Sequence, residues 1–159
     1  MPMTTTNRNT NGVQGRSRER DRQVQSADRL LQVLVGLANA GLLNVSITLT
    51  VGGSLVSGIL IGDKQYSEEM TDAMREAVPP SIKSAYAPIF DVLQGAGAMH
   101  SQVPGEVDLE PAYIHLKEAR FLAAGIVTPA DQPVLWRGRV AAVDGFFLGH
   151  LSEPEESTS

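Results

Sequence analysis

The residues with the chemistry for catalysis or metal binding are three histidines and one run of carboxylates. His100, His115 and His150 fall in a predicted loop, a predicted strand and the end of another strand. None of them stands four residues from another on a helix, which is the usual spacing of a helical zinc site. We therefore expect each histidine to be structural or exposed to solvent.

The carboxylates Glu68, Glu69, Asp72 and Glu76 have a spacing that a metal ion can use on a helix. A solvated helix face with acidic residues in its first turns explains them equally well, and we favour that interpretation. The sequence has neither a GxSxG motif nor a P-loop lysine, and the glycines of VGGSLVSG precede a strand, whereas a phosphate loop precedes a helix. We expect no enzymatic activity and no cofactor.

Charge is divided unevenly along the chain. Residues 1–29 hold six arginines and three acidic residues, whereas residues 30–159 hold seven basic and 15 acidic side chains. The tail arginines are Arg8, Arg16, Arg18, Arg20 and Arg22. Flexible arginines bind phosphates without sequence preference, but this tail has no aromatic residue to stack on bases and the body is acidic. A nucleic-acid partner is therefore disfavoured.

The composition indicates one globular domain with two polar ends. The chain has 159 residues, 42% hydrophobic and 19% charged, which suits a single core. Residues 1–25 and the acidic residues 152–159 have too few apolar side chains to offset the entropy of ordering, so we predict disordered tails around a domain at 26–151. There is no cysteine, no signal-peptide pattern and no apolar run long enough to span a bilayer. These features predict a cytoplasmic protein that does not enter a membrane.

The first half of the domain shows a helix and a hairpin. Ser26 is a candidate N-cap, the apolar positions that follow have helical spacing, and Gly41 marks the expected end of the helix. Alternation in NVSITLT predicts a strand with one buried face. Gly52 and Gly53 predict a tight turn into a second strand, in which Gly58 indicates a bend or bulge.

A helical and loop insertion, at about 64–111, separates this hairpin from three further strands. We predict helices at 67–77 and 81–94, the latter broken near Pro88, and a loop at 95–111. The stretch AYIHLKEARFLA predicts a third strand, and a turn at 128–133 follows it. The last two strands, VLWRGRVAAV and GFFLGHL, are predicted to form a hairpin at Asp144 and Gly145.

This order of elements predicts an α+β fold that is mainly β. Five short antiparallel strands, bent by glycines, commonly close into a small barrel because closure removes free edges. We expect an Sm/SH3-like barrel with an N-terminal helix and a helical insertion between strands 2 and 3. The alternative is an open sheet with helices on one face.

The segment 134–151 contains most of the candidate interaction residues. Alternation places Trp136, Val140, Phe146 and Leu148 toward the core, and it leaves Phe147 either covered by the N-terminal helix or exposed as an adhesive patch. Arg137 and Arg139 share the opposite face of their strand. The candidate interaction residues are Trp136, Arg137, Arg139, Phe146 and Phe147.

These motifs resemble those of a known family. YIHLKEARFL followed by VLWRGRVAAVDGFFLGHLSE is similar to the C-terminal signature of the gas vesicle accessory protein U family, GvpU, and LNVSITLTVGGSLVSGILIGDKQYSEEM resembles its N-terminal hairpin. The resemblance covers roughly residues 42–70 and 112–152, whereas 77–111 and the arginine tail have no counterpart in it. Position by position it transfers Trp136, Arg137, Gly138, Asp144, Gly145, Phe146, Phe147 and Gly149, and no catalytic residue.

The resemblance implies a cytoplasmic, non-enzymatic protein whose partner is the gas vesicle shell or another gas vesicle protein. We expect it to form homo-oligomers through strand edges, an aromatic patch or the basic tail, and so to cluster vesicles. A second hypothesis is a chaperone-like factor that holds the hydrophobic shell subunit before assembly. A third is an Sm-like RNA-binding protein.

Overall fold

The computed structural model describes residues 27–98, 106–129 and 132–151, which form three α-helices, two 3-10 helices and six β-strands. In chain order these are α1 (Arg29–Asn39), β1 (Val45–Val51), β2 (Ser54–Ile61), α2 (Asp63–Ala77), a 3-10 helix (Pro80–Tyr86), α3 (Ala87–Ala98), β3 (Tyr113–Ala123), β4 (Ile126–Thr128), β5 (Val134–Arg139), a 3-10 turn (Val140–Ala142) and β6 (Gly145–Leu148). The five tail arginines that the sequence singled out lie outside the described residues, as does the predicted N-cap Ser26.

Helix α1 is capped at both ends by local hydrogen bonds. At its start, the Asp28 carboxylate accepts a hydrogen bond of 2.9 Å from the backbone N–H of Leu31. At its end, Gly41 has a positive φ of 74°, and the next N–H, that of Leu42, donates to the carbonyl oxygen of Leu37. Glycine adopts this left-handed conformation without steric cost. The predicted stop at Gly41 is therefore confirmed.

All strand pairs are antiparallel. The hydrogen-bonded order is β4–β3–β2–β1–β6, and β5 pairs with the N-terminal part of β3 while β4 pairs with its C-terminal end. This order does not close on itself, so the α+β class and the antiparallel sheet are confirmed but the Sm/SH3-like barrel is not. Six strands replace the expected five, because positive φ angles at Ala124 and Gly125 turn the chain back to form β4.

The first hairpin is formed as the glycines predict. Gly52 and Gly53 have φ values of 57° and 82°, which suit a two-residue turn between paired Val51 and Ser54. In β2, the register with β3 shifts across Gly58, and a Cβ atom there would lie 2.9 Å from the carbonyl oxygen of Lys117. The bulge predicted at Gly58 lies at this position, but its extra residue belongs to β3, where Glu118 has a φ of 53°, and not to β2.

The predicted hairpin between the last two strands is wrong. Strands β5 and β6 do not pair with each other, because the 3-10 turn between them buries Val140 and carries the chain across the core to β1. Asp144 instead stabilises the first hairpin. Its N–H donates to the carbonyl oxygen of Thr50 at 2.8 Å, and its carboxylate accepts from the N–H of Gly52 at 2.9 Å.

The main core lies between α1 and one face of the sheet, which we call the inner face. Its buried side chains are Leu31, Val35, Ala38, Ile47, Leu49, Val56, Leu60, Ile114, Leu116, Ala119 and Val140. Trp136 and Phe146 pack against this cluster from β5 and β6. The inward positions predicted for Trp136, Val140 and Phe146 are therefore confirmed.

The opposite face of the sheet, the outer face, is also covered. Thr48, Ser57 and His115 point away from the inner core yet are buried. Helix α2 covers the end of this face at His115, and residues 149–151 cover the end at Thr48 and Ser57. The expectation of a single buried face on β1 therefore underestimates the burial, because alternation in one strand does not reveal what packs on its polar side.

The insertion forms a helical arm, by which we mean α2, the following 3-10 helix and α3. Helix α2 contacts β3 and packs along α3. The break that Pro88 predicts lies at the boundary between the 3-10 helix and α3. Helix α3 continues to Ala98, which is further than the predicted end at residue 94.

Candidate functional site

A cavity of about 420 Å³ opens where the helical arm meets the outer face. Its polar lining includes Asp63 and Tyr66 of α2, His115 of β3 and Arg137 of β5. Met70 and Leu93 line its apolar side. We call this the His115 cavity.

His115 and Arg137 form the centre of this cavity. They are directly opposite each other in the β3–β5 register, and Arg137 Nε donates a hydrogen bond of 3.2 Å to His115 Nε2. In this bond Nε2 is the acceptor, because the Arg137 guanidinium can only donate. The His115 side chain is 5% exposed and its ring lies 4.7 Å from that of Tyr66. Contacts from β5 and α2 therefore hold the buried imidazole in place.

Arg137 and Arg139 lie on the same side of β5, as alternation predicts. The Arg137 guanidinium carbon is 3.6 Å from the centre of the Tyr113 ring, a short cation–π contact. Arg139 is exposed and pairs in register with Tyr113. These two arginines therefore extend the polar surface of the His115 cavity along the sheet.

In the Trp136-Arg137-Gly138 motif, neighbouring side chains lie on opposite faces of β5. Trp136 is half-buried on the inner face, and its indole lies across Gly138, where an added Cβ would be 2.6 Å from Trp136 Cζ2. Glycine at position 138 is thus required for the packing of the ring. Of this motif, Trp136 belongs to the core, whereas Arg137 lines the cavity.

Phe146 and Phe147 have opposite environments. Phe146 packs against the inner core, whereas Phe147 is 47% exposed on the other side of β6. Leu148 is the register partner of Ile47 and therefore projects toward the inner face as predicted, but it is 58% exposed. It stands at the last position of an edge strand, with no further strand among the described residues to cover it. We define the β6 edge surface as Phe147, Leu148 and the backbone edge of β6 that faces away from β1.

The segment after β6 is bound by polar side chains of the first hairpin. Thr48 Oγ1 donates to the carbonyl oxygen of Gly149 at 2.8 Å, and Ser46 Oγ lies 2.7 Å from His150 Nε2. The N–H of Leu151 donates to Ser57 Oγ at 3.1 Å. We did not predict these contacts from the sequence, although serine and threonine alternating through NVSITLT were the available signal.

The helical arm exposes a second set of large apolar residues, which we call the arm surface: Ile82, Tyr86, Ile89 and Val92. Ile89 and Val92 are three residues apart and therefore neighbours on the surface of α3, while Ile82 and Tyr86 precede them on the 3-10 helix. Phe90, in contrast, is buried, with the Arg75 guanidinium carbon 5.3 Å from its ring centre. The sequence suggested no role for this segment.

The remaining histidine and the acidic run do not form a recognisable site among the described residues. His100 lies outside the described residues, and within ranges 27–98, 106–129 and 132–151 no group of three or more His, Asp or Glu side chains is arranged to hold a metal ion. Glu68 and Asp72 of the acidic run form ion pairs with neighbouring basic residues on α2. No helix in the part of the chain that the structure describes is long and apolar enough to cross a membrane.

Comparison with known proteins identifies the family. A family model described as "Gas vesicle protein GvpU-like" matches residues 28–151, which include all the described strands and all but the last two residues of the motifs that carried the resemblance. No curated protein and no solved structure matches the chain significantly. The resemblance read from the hairpin, the IHLK strand and the WRG and VDGFFLG motifs is confirmed, and the chain belongs to the GvpU-like family of gas vesicle proteins.

Proposed function

We propose that this protein is a non-enzymatic, cytoplasmic gas vesicle accessory protein that associates with itself and with gas vesicles or their proteins, and thereby clusters vesicles. Membership of the GvpU-like family supports the connection with gas vesicles. The observation that carries the proposed mode of action is the β6 edge surface. There, two consecutive large apolar side chains, Phe147 on the outer face and Leu148 on the inner face, are exposed on an edge strand whose free side pairs with no strand of the described residues.

An open sheet edge has a physical tendency to bind another chain. Its N–H and C=O groups can pair with a second strand, and exposed apolar side chains add buried area to that contact. Strands β4 and β5 form the opposite side of the same sheet. A molecule with two such edges can bind two neighbours, and several weak contacts together give high avidity on a surface.

The basic tail supplies a second type of contact. Residues 1–29 hold six arginines and three acidic residues, and the rest of the chain holds seven basic and 15 acidic side chains. A tail with net positive charge is attracted to the acidic body of a neighbouring molecule, and this attraction weakens with salt. Removing residues 1–25 should therefore reduce self-association at low ionic strength, which analytical ultracentrifugation measures as a smaller oligomer. High salt should reduce the self-association of the full-length chain in the same way.

Flotation with purified vesicles tests the main proposal. Full-length protein mixed with stripped, buoyant gas vesicles should rise with them and make them clump. The double variant Phe147→Lys/Leu148→Lys should lose clumping, because two charges on an edge strand oppose pairing. The matched control is Leu109→Lys, since Leu109 is also 47% exposed but belongs to no helix or strand. Wild-type protein that stays in the infranatant, or equal losses in both variants, would contradict the proposal.

The arm surface favours one alternative function, that of an assembly factor for the shell subunit. Ile82, Tyr86, Ile89 and Val92 are exposed apolar side chains on the helical arm, as a protein that holds a hydrophobic subunit requires. In this case the protein should bind the soluble shell subunit and should not bind finished vesicles. Val92→Lys should abolish that binding while Phe147→Lys leaves it intact, because Val92 is 71% exposed at the arm surface. The opposite pattern of losses would support vesicle clustering.

A further inference from the structure

Four of the seven basic side chains in residues 30–159 belong to the neighbouring strands β3 and β5. We call Lys117, Arg120, Arg137 and Arg139 the basic face. Glu118 is the one acidic residue of these two strands. A domain with an acidic excess thus has a local concentration of positive charge.

The register places these four side chains on the outer face of the sheet. Directly opposite residues of an antiparallel pair project from the same side, so Arg120 shares the outer face with its partner Ser57, and Arg137 shares it with His115. Lys117 and Arg120 are three residues apart and would face opposite sides in a regular strand. The bulge between them adds one residue and brings both to the outer face.

The basic face has no carboxylate partner within the described residues. The ion pairs there are Arg29 with Glu110, Lys64 with Glu68 and Arg75 with Asp72, so none of them involves β3 or β5. The three arginines of the basic face are exposed and Lys117 is half-buried. Like charges that are close together on a surface repel one another and favour an anionic occupant.

An acidic segment of the same chain begins beside this face. The N–H of Leu151 donates to Ser57 Oγ, and Ser57 is the register partner of Arg120. The next eight residues, SEPEESTS at 152–159, contain three glutamates and no basic residue. Eight extended residues span up to about 26 Å. From strand spacing and rise, Arg137 lies about 16 Å from Ser57.

We propose that residues 152–159 dock on the basic face of their own chain, with Glu153, Glu155 and Glu156 opposite Arg120, Lys117 and Arg137. Individual exposed ion pairs are weak and sensitive to salt. Attachment at Leu151 keeps the glutamates at high local concentration, which favours several pairs at once. Docking neutralises the main positive surface of the described domain and leaves the rest of that domain acidic.

Paramagnetic NMR on the full chain tests this docking. The sequence has no cysteine, so Ser157→Cys provides a single site for a nitroxide label. At low ionic strength the backbone amides of Lys117 and Arg120 should lose about half of their intensity or more, and they should recover it at about 1 M salt, where the Debye length is about 3 Å. The amide of Lys83, on the helical arm, serves as the internal control.

A second labelled chain tests whether the broadening depends on the negative charges or only on the covalent attachment of the segment. Glu153→Gln/Glu155→Gln/Glu156→Gln keeps the length of the segment and should remove the broadening. Unchanged intensities at Lys117 and Arg120 in the parent chain would overturn the proposal, as would broadening that persists in the glutamine variant. Broadening found only when labelled chains are mixed with isotope-enriched, unlabelled ones would show docking between molecules and would also refute it. If these amides respond to a single-stranded oligonucleotide and not to the label, nucleic acid is the occupant.

Discussion

Replacing Gly138 with alanine should loosen the packing of the single tryptophan. An alanine Cβ would lie 2.6 Å from Trp136 Cζ2, and nearer still to Cη2, whereas carbon atoms in contact are normally separated by about 3.5–4.0 Å. The indole must therefore move by about 1 Å or leave its place on the inner core. Overpacking of this kind costs about 1–3 kcal/mol, and the reduced entropy of the unfolded alanine chain offsets about 0.5–1 kcal/mol.

We expect Gly138→Ala to lower the free energy of unfolding by about 1–2 kcal/mol, which for a chain of this size shifts Tm by roughly 2–8 °C. Urea titration followed by tryptophan fluorescence and by circular dichroism measures both the stability and the environment of Trp136, since the protein has one tryptophan. The native emission should also move to longer wavelength as the ring becomes more hydrated.

Gly145→Ala is the matched control, because Gly145 is also a strand glycine but an added Cβ there meets no atom within 4 Å. Its stability should equal or slightly exceed that of the parent. A Gly138→Ala protein with the same urea midpoint and emission as the Gly145→Ala protein would refute the assignment of the ring to the surface above Gly138.

Substitutions at three further positions, two of them with controls, test the core and the first hairpin by the same urea titration. Leu49→Ala should destabilise the protein by about 2–5 kcal/mol because Leu49 is fully buried. Its control, Leu30→Ala at an exposed position of α1, should change stability by less than about 0.5 kcal/mol, and similar effects of the two would be inconsistent with the observed core. Gly53→Ala should cost about 1 kcal/mol because φ is 82° there, and an unaffected midpoint would argue against the two-glycine turn. Asp144→Ala should cost about 0.5–1.5 kcal/mol through the lost hydrogen bond from the Gly52 N–H. Asp144→Asn should retain most of the stability, because its amide oxygen still accepts that bond. Equal losses in the two variants would exclude a stabilising role of the Asp144 side chain in the first hairpin.

Local elements were predictable because their signals lie within a few residues. The stop of α1 at Gly41 and the β1–β2 turn depend on positive φ angles that glycine adopts without strain. The alternation of β5 correctly placed Trp136 and Arg137 on opposite faces of the sheet. The start of α1 was predicted two residues early, since Ser26 and Asp28 are both good caps and sequence alone does not show which side chain meets the Leu31 N–H.

The candidate site was only partly predictable. Arg137 and Phe147 were identified by their position in the WRG and VDGFFLG motifs, and Arg137 lines the His115 cavity while Phe147 is exposed on β6. The place of His115 in that cavity was missed, because its neighbours Tyr66 and Arg137 are 49 and 22 residues away and belong to other elements. Contacts at such separation leave no local pattern.

The sequence by itself determined most of the elements, the inner-face positions of β1 and β5, and the family, because propensity, alternation and motifs act over short distances. Only the tertiary structure decided which strands became neighbours. Asp144 and Gly145 have the composition of a hairpin turn, yet burial of Val140 and the bond from Asp144 to Thr50 send the chain to β1. The same choice brings residues 149–151 onto Thr48 and Ser57, so that the polar side of the first hairpin becomes a buried surface. Pairing between distant strands depends on the total burial that each arrangement achieves, and no short stretch of sequence contains that quantity.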